Sequence, residues 1–134
     1  MDTTAPNFGP PQGERELAAA EDIRNQAFAL PPEESRGWQQ KIEALDAHLR
    51  VLREGDRVAA TIVLIPMGQW FNGRRVPMVG IGGVGVAPAS RGKGTATRLM
   101  QAALRELRGQ GAPIASLYPA TQPLYRRVGF EQSG

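Results

Sequence analysis

The stretch that most restricts the fold is an abrupt change of pattern in the second half of the chain. An apolar, glycine-rich segment from Val76 to Val86 predicts a strand, and Pro88 ends it. A basic turn, Arg91-Gly92-Lys93-Gly94, follows. Apolar residues then recur every three or four positions from Ala96 to Leu107, which predicts an amphipathic helix whose arginines, Arg98 among them, face away from the core. The chain must therefore pass from a strand to a long helix through a short, positively charged turn.

A turn of this kind is suited to binding an anion. Its backbone N–H groups converge at the positive end of the helix dipole, and glycines let oxygen atoms approach the backbone closely. Arg91 and Lys93 add positive charge at the rim. Residues 1–67 contain 7 Lys/Arg and 11 Asp/Glu, whereas residues 68–134 contain 9 and 2, so the turn lies in the basic half of the chain. This charge distribution favours a phosphate-bearing ligand.

Two common phosphate-binding motifs do not account for the turn. A Walker A motif would need glycine where Ala87 stands and Ser or Thr where Gly94 follows Lys93. The letters Gly80-x-Gly82-x-x-Gly85 match the dinucleotide-binding fingerprint, but they lie within a predicted strand. That strand leads to Pro88 and not directly into a helix, so the fingerprint lacks its structural context.

The turn and a downstream segment together resemble a known family. Arg91-x-x-Gly94-x-Ala96 is similar to the acyl-CoA pyrophosphate loop of the GNAT N-acetyltransferases, Arg/Gln-x-x-Gly-x-Gly/Ala. Val84-x-Val86-x-Pro88 before it and the segment from Tyr118 to Phe130 after it resemble the enhanced-intracellular-survival (Eis-like) branch, from about Leu17 onwards. The resemblance implies an α/β GNAT fold with about six mixed, mostly antiparallel strands flanked by helices. It also implies that this chain is the N-terminal acetyltransferase domain only.

The resemblance implies a set of cofactor-binding residues. Backbone groups of the strand residues Val84, Gly85 and Val86 would bind the pantetheine arm of acetyl-CoA, with an N–H near Val84 stabilising the developing oxyanion. Backbone N–H groups would hold the pyrophosphate along the turn and the start of the helix, at Arg91, Gly92, Lys93, Gly94, Thr95 and Ala96. The pair Gly82-Gly83 would form a β-bulge that frees N–H groups of the strand.

Tyr125 is the catalytic residue that the resemblance implies. A phenol has a pKa of about 10 and a thiol about 8.5, so a neutral tyrosine carries a proton that it can donate to the leaving CoA sulfur as its charge develops. Tyr118, at the end of a predicted strand, is the competing tyrosine.

Candidates for the general base are Glu21, Glu33, Glu34 and His48. In larger family members a carboxylate at the C-terminus of a later domain is the expected base, and a chain ending at Gly134 would lack it. Three aromatic residues could line an acceptor pocket: Trp38, Trp70 and Phe71.

The expected activity is acetyl transfer from acetyl-CoA to a primary amine, by direct attack within a ternary complex. Two alternatives remain open. One is an acyl-CoA-binding module that is catalytically incomplete, and the other is a small basic nucleic-acid-binding protein, which no basic patch interleaved with aromatic residues supports. We therefore expect neither a nucleic-acid nor a membrane partner. The acceptor amine itself is not identified by the sequence.

Composition narrows the remaining possibilities. With no Cys and one His, the sequence predicts neither disulfides nor a metal site. No apolar run approaches the roughly 18 residues of a membrane span, and the N-terminus lacks the features of a secretory signal, which predicts a cytoplasmic protein. We expect a flexible tail over residues 1–13 and a single domain over 14–134. The last strand would begin at Phe130 and barely continue, leaving an exposed sheet edge that favours a homo-oligomer.

Hydrophobic periodicity and turn signals predict the remaining elements. Helices are expected from Glu14 to Phe28, from Pro32 onwards, and from Gln122 to Val128, the second with Trp38, Ile42 and Leu45 on its apolar face. Strands are expected at Asn7-Phe8, His48 to Arg53, Arg57 to Pro66 and Ile114 to Tyr118. Asn72-Gly73 predicts a tight turn that pairs the flanking strands antiparallel. The strand, helix and strand from Val76 onwards predict a parallel pair with a right-handed crossover.

Overall fold

The protein folds around one mixed β-sheet with helices on both faces. The computed structural model describes residues 7–29, 37–117 and 122–132, and within these ranges five strands pair in chain order. The strands are β1 (Phe8–Gly9), β2 (His48–Glu54), β3 (Arg57–Phe71), β4 (Arg74–Val86) and β5 (Ala115–Leu117). The helices are α1 (Gly13–Phe28), α2 (Trp38–Ala44), α3 (Thr95–Gly109) and α4 (Gln122–Arg127), and a 3₁₀ turn covers Pro88–Ser90. Neighbouring strands are antiparallel except β4 and β5, which are parallel as predicted.

The hairpin between β3 and β4 is longer than the sequence indicated. Asn72 and Gly73 form its turn with φ angles of 50° and 78°, the geometry of a tight two-residue hairpin turn. The prediction that β3 ends at Pro66 was wrong, because the strand continues to Phe71. Pro66 lies opposite Val79 of β4, whose N–H bonds to the carbonyl of Ile114, towards β5. Pro66 and Val79 therefore exchange no backbone hydrogen bonds, and the missing N–H of the proline costs no bond between β3 and β4.

Two apolar cores lie on the two faces of the sheet. The first packs against α3 and α4, and its buried members include Ile62, Leu64, Ile81, Leu99 and Met100. The second packs against α1 and α2, and its buried members include Ala20, Ile23, Trp38, Val51 and Val63. Leu45 does not join the second core as predicted, because α2 ends at Ala44 and leaves Leu45 57% exposed. The predicted start of that helix, with Glu33 and Glu34, lies outside the described residues.

The edge strand predicted near the N-terminus is confirmed at Phe8–Gly9. Phe8 is 2% exposed and pairs with Leu52 of β2, so it is part of the first core. Packing therefore begins at Phe8, inside the segment predicted as a tail, whose residues 1–6 lie outside the described ranges.

Two ion pairs attach helices to β2. Arg53 donates from Nε and Nη2 to the two carboxylate oxygens of Glu16 on α1, at 2.7 and 2.6 Å. Arg50 donates from Nε to Oε1 of Glu106 on α3, at 2.8 Å. All four side chains are at most 16% exposed. These pairs fix α1 and α3, which pack on opposite faces of the sheet, to the same strand.

Candidate cofactor site

A β-bulge interrupts β4 just before the basic turn. Val63 of β3 pairs with Gly82, whereas Thr61 pairs with Gly85, so β4 contains one more residue than β3 over this interval. Gly83, inside the bulge, has a φ of 60°, and a Cβ on it would lie 3.0 Å from Cγ2 of Val63. The bulge predicted at Gly82-Gly83 is therefore confirmed, and a glycine is required there by both conformation and space.

The bulge reverses which residues of β4 bond to β3. Before it, Val79 donates its N–H to the carbonyl of Ile114, towards β5, at 2.9 Å. After it, Ala87 donates its N–H to the carbonyl of Ala59 in β3, at 2.8 Å. Because backbone groups alternate in direction along a strand, Val84 and Val86 direct their N–H and C=O groups away from β3. Without the extra residue, the N–H and C=O groups of Val84 and Val86 would face β3 and bond to it.

The strand β5 does not reach these freed groups within the described part of the chain. In β5, Ala115, Ser116 and Leu117 pair with Val79, Gly80 and Ile81, and the pairing goes no further among the described residues. The next residues, 118–121, including Tyr118, lie outside the described ranges. The carbonyl of Val86 accepts a long hydrogen bond of 3.4 Å from Nε of the exposed Arg91, and this contact itself shows that the carbonyl faces away from β3.

Gly85 has a different environment from its two neighbours. It lies opposite Thr61 and two residues before Ala87, whose N–H bonds to β3, so the backbone groups of Gly85 also face β3. A Cβ at this position would lie 3.1 Å from Cγ2 of Ile23 and 3.2 Å from Cβ of Ala27, both on α1. The structure therefore places Gly85 where α1 packs closely on β4, and not on the free edge of the strand where the sequence analysis placed its cofactor role.

The turn before α3 leaves backbone donors free. Gly92 and Gly94 have φ angles of 76° and 73°, and the turn residues Arg91–Gly94 are exposed. The first intrahelical bond runs from the N–H of Arg98 to the carbonyl of Gly94, at 3.1 Å. The N–H groups of Thr95, Ala96 and Thr97 precede it and have no intrahelical acceptor. No side chain in the described residues caps this helix, so these donors remain available to an anion.

This geometry changes the predicted donor set at both ends. The N–H of Arg91 points to the carbonyl of Pro88 at 3.4 Å, within the 3₁₀ turn, and is not directed outward like the later donors. The N–H of Thr97 also has no intrahelical acceptor, and the sequence analysis did not name it. The general rule that a helix leaves its first-turn N–H groups unbonded would have identified it from the helix start alone.

Polar side chains lie against the inner side of the turn. Thr95 is 2% exposed, and its hydroxyl lies 3.0 Å from the carbonyl of Ser90 and 2.9 Å from Oε1 of Glu54. Arg98 donates to the carbonyl of Lys93 at 2.8 Å and to the hydroxyl of Thr95 at 3.1 Å. Sequence analysis assigned Arg98 to the outer face of the helix and left Glu54 between two predicted strands, so neither was identified as part of the site.

Tyr125 on α4 packs in the same apolar cluster as the side chains of Val84 and Val86. Tyr125 is 8% exposed, and its ring packs edge-on against the ring of Phe130, with the ring centroids 6.3 Å apart. Burial raises the pKa of its phenol above the ordinary value of 10.0, which keeps the group protonated at neutral pH. The structure thus brings the predicted acid and the freed strand segment to one side of the sheet.

Among the described residues, the other candidates are not gathered at this place. His48 is exposed at the start of β2, and Glu21 is half-buried on α1. Trp38 is a core residue with the guanidinium of Arg24 5.0 Å from its ring centroid. Trp70 and Phe71 are 66% and 51% exposed at the far end of the β3–β4 hairpin. In the described ranges, no group of three or more His, Cys, Asp or Glu residues could hold a metal ion, and no helix is long and apolar enough to cross a membrane.

Comparison with known proteins identifies the class to which this fold and site belong. The sequence profile described as "Acetyltransferase (GNAT) domain" matches residues 11–133, and the chain belongs to this family. The expected α/β GNAT fold is confirmed, and the five-stranded mixed sheet in the described residues agrees with the expectation of about six strands of which the last is barely formed.

Individual relatives support the same assignment. A GCN5-related N-acetyltransferase from Anabaena variabilis is 37% identical with a TM-score of 0.82, over 95% of this chain and 32% of that chain. An uncharacterized N-acetyltransferase of Streptomyces griseus is 40% identical over 58 residues, which are 43% of this chain and 14% of that protein. A predicted acetyltransferase from Clostridium acetobutylicum, solved with acetyl-CoA, shares the fold at 17% identity and a TM-score of 0.71, over 95% of this chain and 90% of its own. This chain thus spans about a third of the Anabaena protein and a smaller share of the Streptomyces one.

Proposed function

We propose that this domain binds acetyl-CoA and transfers its acetyl group to a primary amine by direct attack within a ternary complex. The observation that carries the proposal is the pairing of two features at one corner of the fold. The bulge in β4 turns the backbone of Val84 and Val86 away from β3, and the uncapped start of α3 presents free N–H groups a few residues later. The proposal also draws on membership of the GNAT family.

The phosphates and the pantetheine arm would bind to the main chain. Free N–H groups from Gly92 to Thr97 would hold the pyrophosphate, with the positive end of the α3 dipole adding to the attraction. The pantetheine amides would bond to Val84 and Val86 much as a neighbouring strand would. The exposed side chains of Arg91 and Lys93 add positive charge beside the phosphates.

The chemical step replaces a C–S bond with a C–N bond. The amine lone pair attacks the thioester carbonyl carbon, and the negative charge that develops on oxygen would be stabilised by an N–H of the freed strand near Val84. As the C–S bond breaks, the hydroxyl of Tyr125 would donate its proton to the departing sulfur. Burial raises the pKa of Tyr125, so the phenol carries its proton at neutral pH before the reaction begins.

We further propose that the chain is the N-terminal acetyltransferase domain of the enhanced-intracellular-survival type. The motif pair that carries the resemblance supports this, as does the 32% share of the Anabaena relative that the chain covers. On this proposal, the groups that select the acceptor amine and remove its proton come in part from beyond the acetyltransferase domain.

Cofactor binding is tested with Gly94→Asp. The new carboxylate would stand at the phosphates, and we expect acetyl-CoA binding in isothermal titration calorimetry to be abolished. Gly73→Asp is the matched control, because Gly73 also has a positive φ, 78° against 73°, in open space at the opposite end of β4. Tight binding by Gly94→Asp would refute the assignment of the turn.

The acid is tested with Tyr125→Phe, which keeps the packed ring and removes the proton donor. We expect turnover of an amine substrate to fall by about 100-fold, with little change in acetyl-CoA affinity. Tyr118→Phe is the comparison, and a larger loss there would reassign the acid. Thermal stabilisation by acetyl-CoA without thiol release, over a panel of aminoglycosides, polyamines and lysine peptides, would instead identify a catalytically incomplete binding module.

A further inference from the structure

We propose that Arg98, Thr95 and Glu54 are positioning residues that hold the turn before α3 in the conformation its ligand requires. The inference rests on the proposed function, since it concerns how the same acetyl-CoA site is shaped. None of the three side chains needs to touch the ligand. Their role is to bind the carbonyl groups on the inner side of the turn, so that its N–H groups face outward.

The guanidinium of Arg98 provides the first contact. Its Nη1 donates to the carbonyl of Lys93 at 2.8 Å, a short, charge-assisted hydrogen bond. A Cβ on Gly94 would lie 3.6 Å from the same Nη1, so the guanidinium rests against the backbone of the turn. In a trans peptide the carbonyl of one residue and the N–H of the next point in opposite directions. Fixing the carbonyl of Lys93 towards Arg98 therefore turns the N–H of Gly94 to the outer side.

The hydroxyl of Thr95 provides the second contact. Its single proton lies between two acceptors, the carbonyl of Ser90 at 3.0 Å and Oε1 of Glu54 at 2.9 Å, and its oxygen accepts from Nη2 of Arg98 at 3.1 Å. Thr95 and Arg98 stand three residues apart on α3, which places them on neighbouring positions of one helix face. Together they hold the carbonyls of Ser90 and Lys93, the first and fourth residues of the segment from Ser90 to Gly94.

Glu54 connects this arrangement to the sheet. It is the last residue of β2, and its Oε1 meets both the hydroxyl of Thr95 and, at 3.4 Å, Nη2 of Arg98. The carboxylate is 29% exposed and balances the charge of Arg98 on the side away from the proposed phosphates. A rigid strand end thus sets the position of a turn that has no cap of its own among the described residues.

The test compares two substitutions that differ by one hydroxyl. Thr95→Val keeps the shape of the side chain and removes the hydrogen bonds, whereas Thr95→Ser keeps the hydroxyl. We expect the dissociation constant and KM for acetyl-CoA to rise about 10- to 100-fold in Thr95→Val, with kcat at saturation changed by less than about 3-fold, and Thr95→Ser to restore most of the affinity. Equal affinity of Thr95→Val and the parent protein would overturn the proposal.

Arg98 gives an independent variant pair. Arg98→Met keeps the packing of the stem and should weaken acetyl-CoA binding about 10-fold or more, whereas Arg105→Met, at an exposed position later on α3, should not. Arg98→Lys should rescue little, because an ammonium cannot bond to the carbonyl of Lys93 and the hydroxyl of Thr95 in the same fork geometry. Full rescue by lysine would mean that only charge matters and would reject positioning.

A measurement without ligand separates this inference from the proposed function. Backbone order parameters from ¹⁵N relaxation of the amides from Gly92 to Thr97 should fall from about 0.85, the value of a rigid backbone, towards about 0.6 in Thr95→Val and Arg98→Met, with the core of α3 unchanged. Unchanged order parameters in both variants would refute the positioning role even if acetyl-CoA binds. If the parent protein shows no affinity for acetyl-CoA but the order parameters fall as expected, the proposed function fails and the structural inference stands. Should Thr95→Val not fold, Glu54→Gln takes its place in both measurements.

Discussion

Glu16 offers the sharpest quantitative test of the structure, because its carboxylate holds α1 against β2. The hydrogen-bonded guanidinium of Arg53 lowers the pKa of Glu16 from 4.5 to about 2, against the opposing effect of burial and with help from the backbone N–H of Gln12. Glu16→Gln removes the charge and keeps the size. The substitution should lower the free energy of unfolding at neutral pH because it weakens the bond between Glu16 and Arg53. The same bond helps to hold α1 where it packs on Gly85 of β4.

The magnitude follows from the linkage between protonation and folding. A fall in pKa from 4.5 to about 2 corresponds to about 3 kcal/mol of stability at pH 7. Because the folded-state pKa is the lower one, this stability is present above about pH 4.5 and is lost as the pH falls towards 2. At pH 3 the contribution should be about 1 kcal/mol. Since the amide of glutamine retains part of the hydrogen bonding, we expect Glu16→Gln to cost about 2 to 3 kcal/mol at pH 7.

Urea unfolding followed by circular dichroism at pH 7, 5, 4 and 3 measures this difference directly. The gap between the parent protein and Glu16→Gln should be constant from pH 7 to 5 and should narrow by about two thirds at pH 3. Glu14→Gln, at an exposed position in the first turn of α1, is the matched control and should stay within about 0.5 kcal/mol of the parent at every pH. A gap that does not change with pH, or one equal to that of the control, would refute the reasoning.

Three further outcomes are expected from the packing around the bulge and the core. Gly83→Ala should lower the free energy of unfolding in urea by about 2 to 3 kcal/mol and weaken acetyl-CoA binding, because Gly83 has a φ of 60° and a Cβ there would lie 3.0 Å from Val63. Its control is Gly111→Ala, at a φ of 75° in open space, which should cost about 1 kcal/mol and leave binding intact. Gly85→Val should lower stability by about 1 to 3 kcal/mol by pushing α1 from the sheet, and an unchanged melting temperature would contradict the close approach. Leu99→Ala, at a fully buried position, should cost about 3 to 5 kcal/mol without changing the affinity for acetyl-CoA of the folded protein.

Local sequence patterns predicted most elements of this fold because each of them depends on residues close together in the chain. The helix after the turn follows from apolar spacing, and it is observed at Thr95–Gly109. The hairpin turn follows from Asn72-Gly73, whose positive φ angles few other residue pairs adopt. The bulge follows from the cost of adjacent glycines in a strand. The errors at Pro66 and Leu45 concern where an element ends, which depends on the elements it pairs with or packs against.

The sequence by itself determined that a strand, a glycine-bearing basic turn and an amphipathic helix follow one another, and so that a corner of free N–H groups exists. Only the tertiary structure decided which backbone groups that corner presents. The extra residue in β4 turns Val84 and Val86 outward and Gly85 inward, a difference that depends on the register with β3. Likewise, Glu54 reaches Thr95 across 41 positions of sequence. Periodicity describes one element at a time, whereas register and contacts between distant elements arise only when the elements pack together.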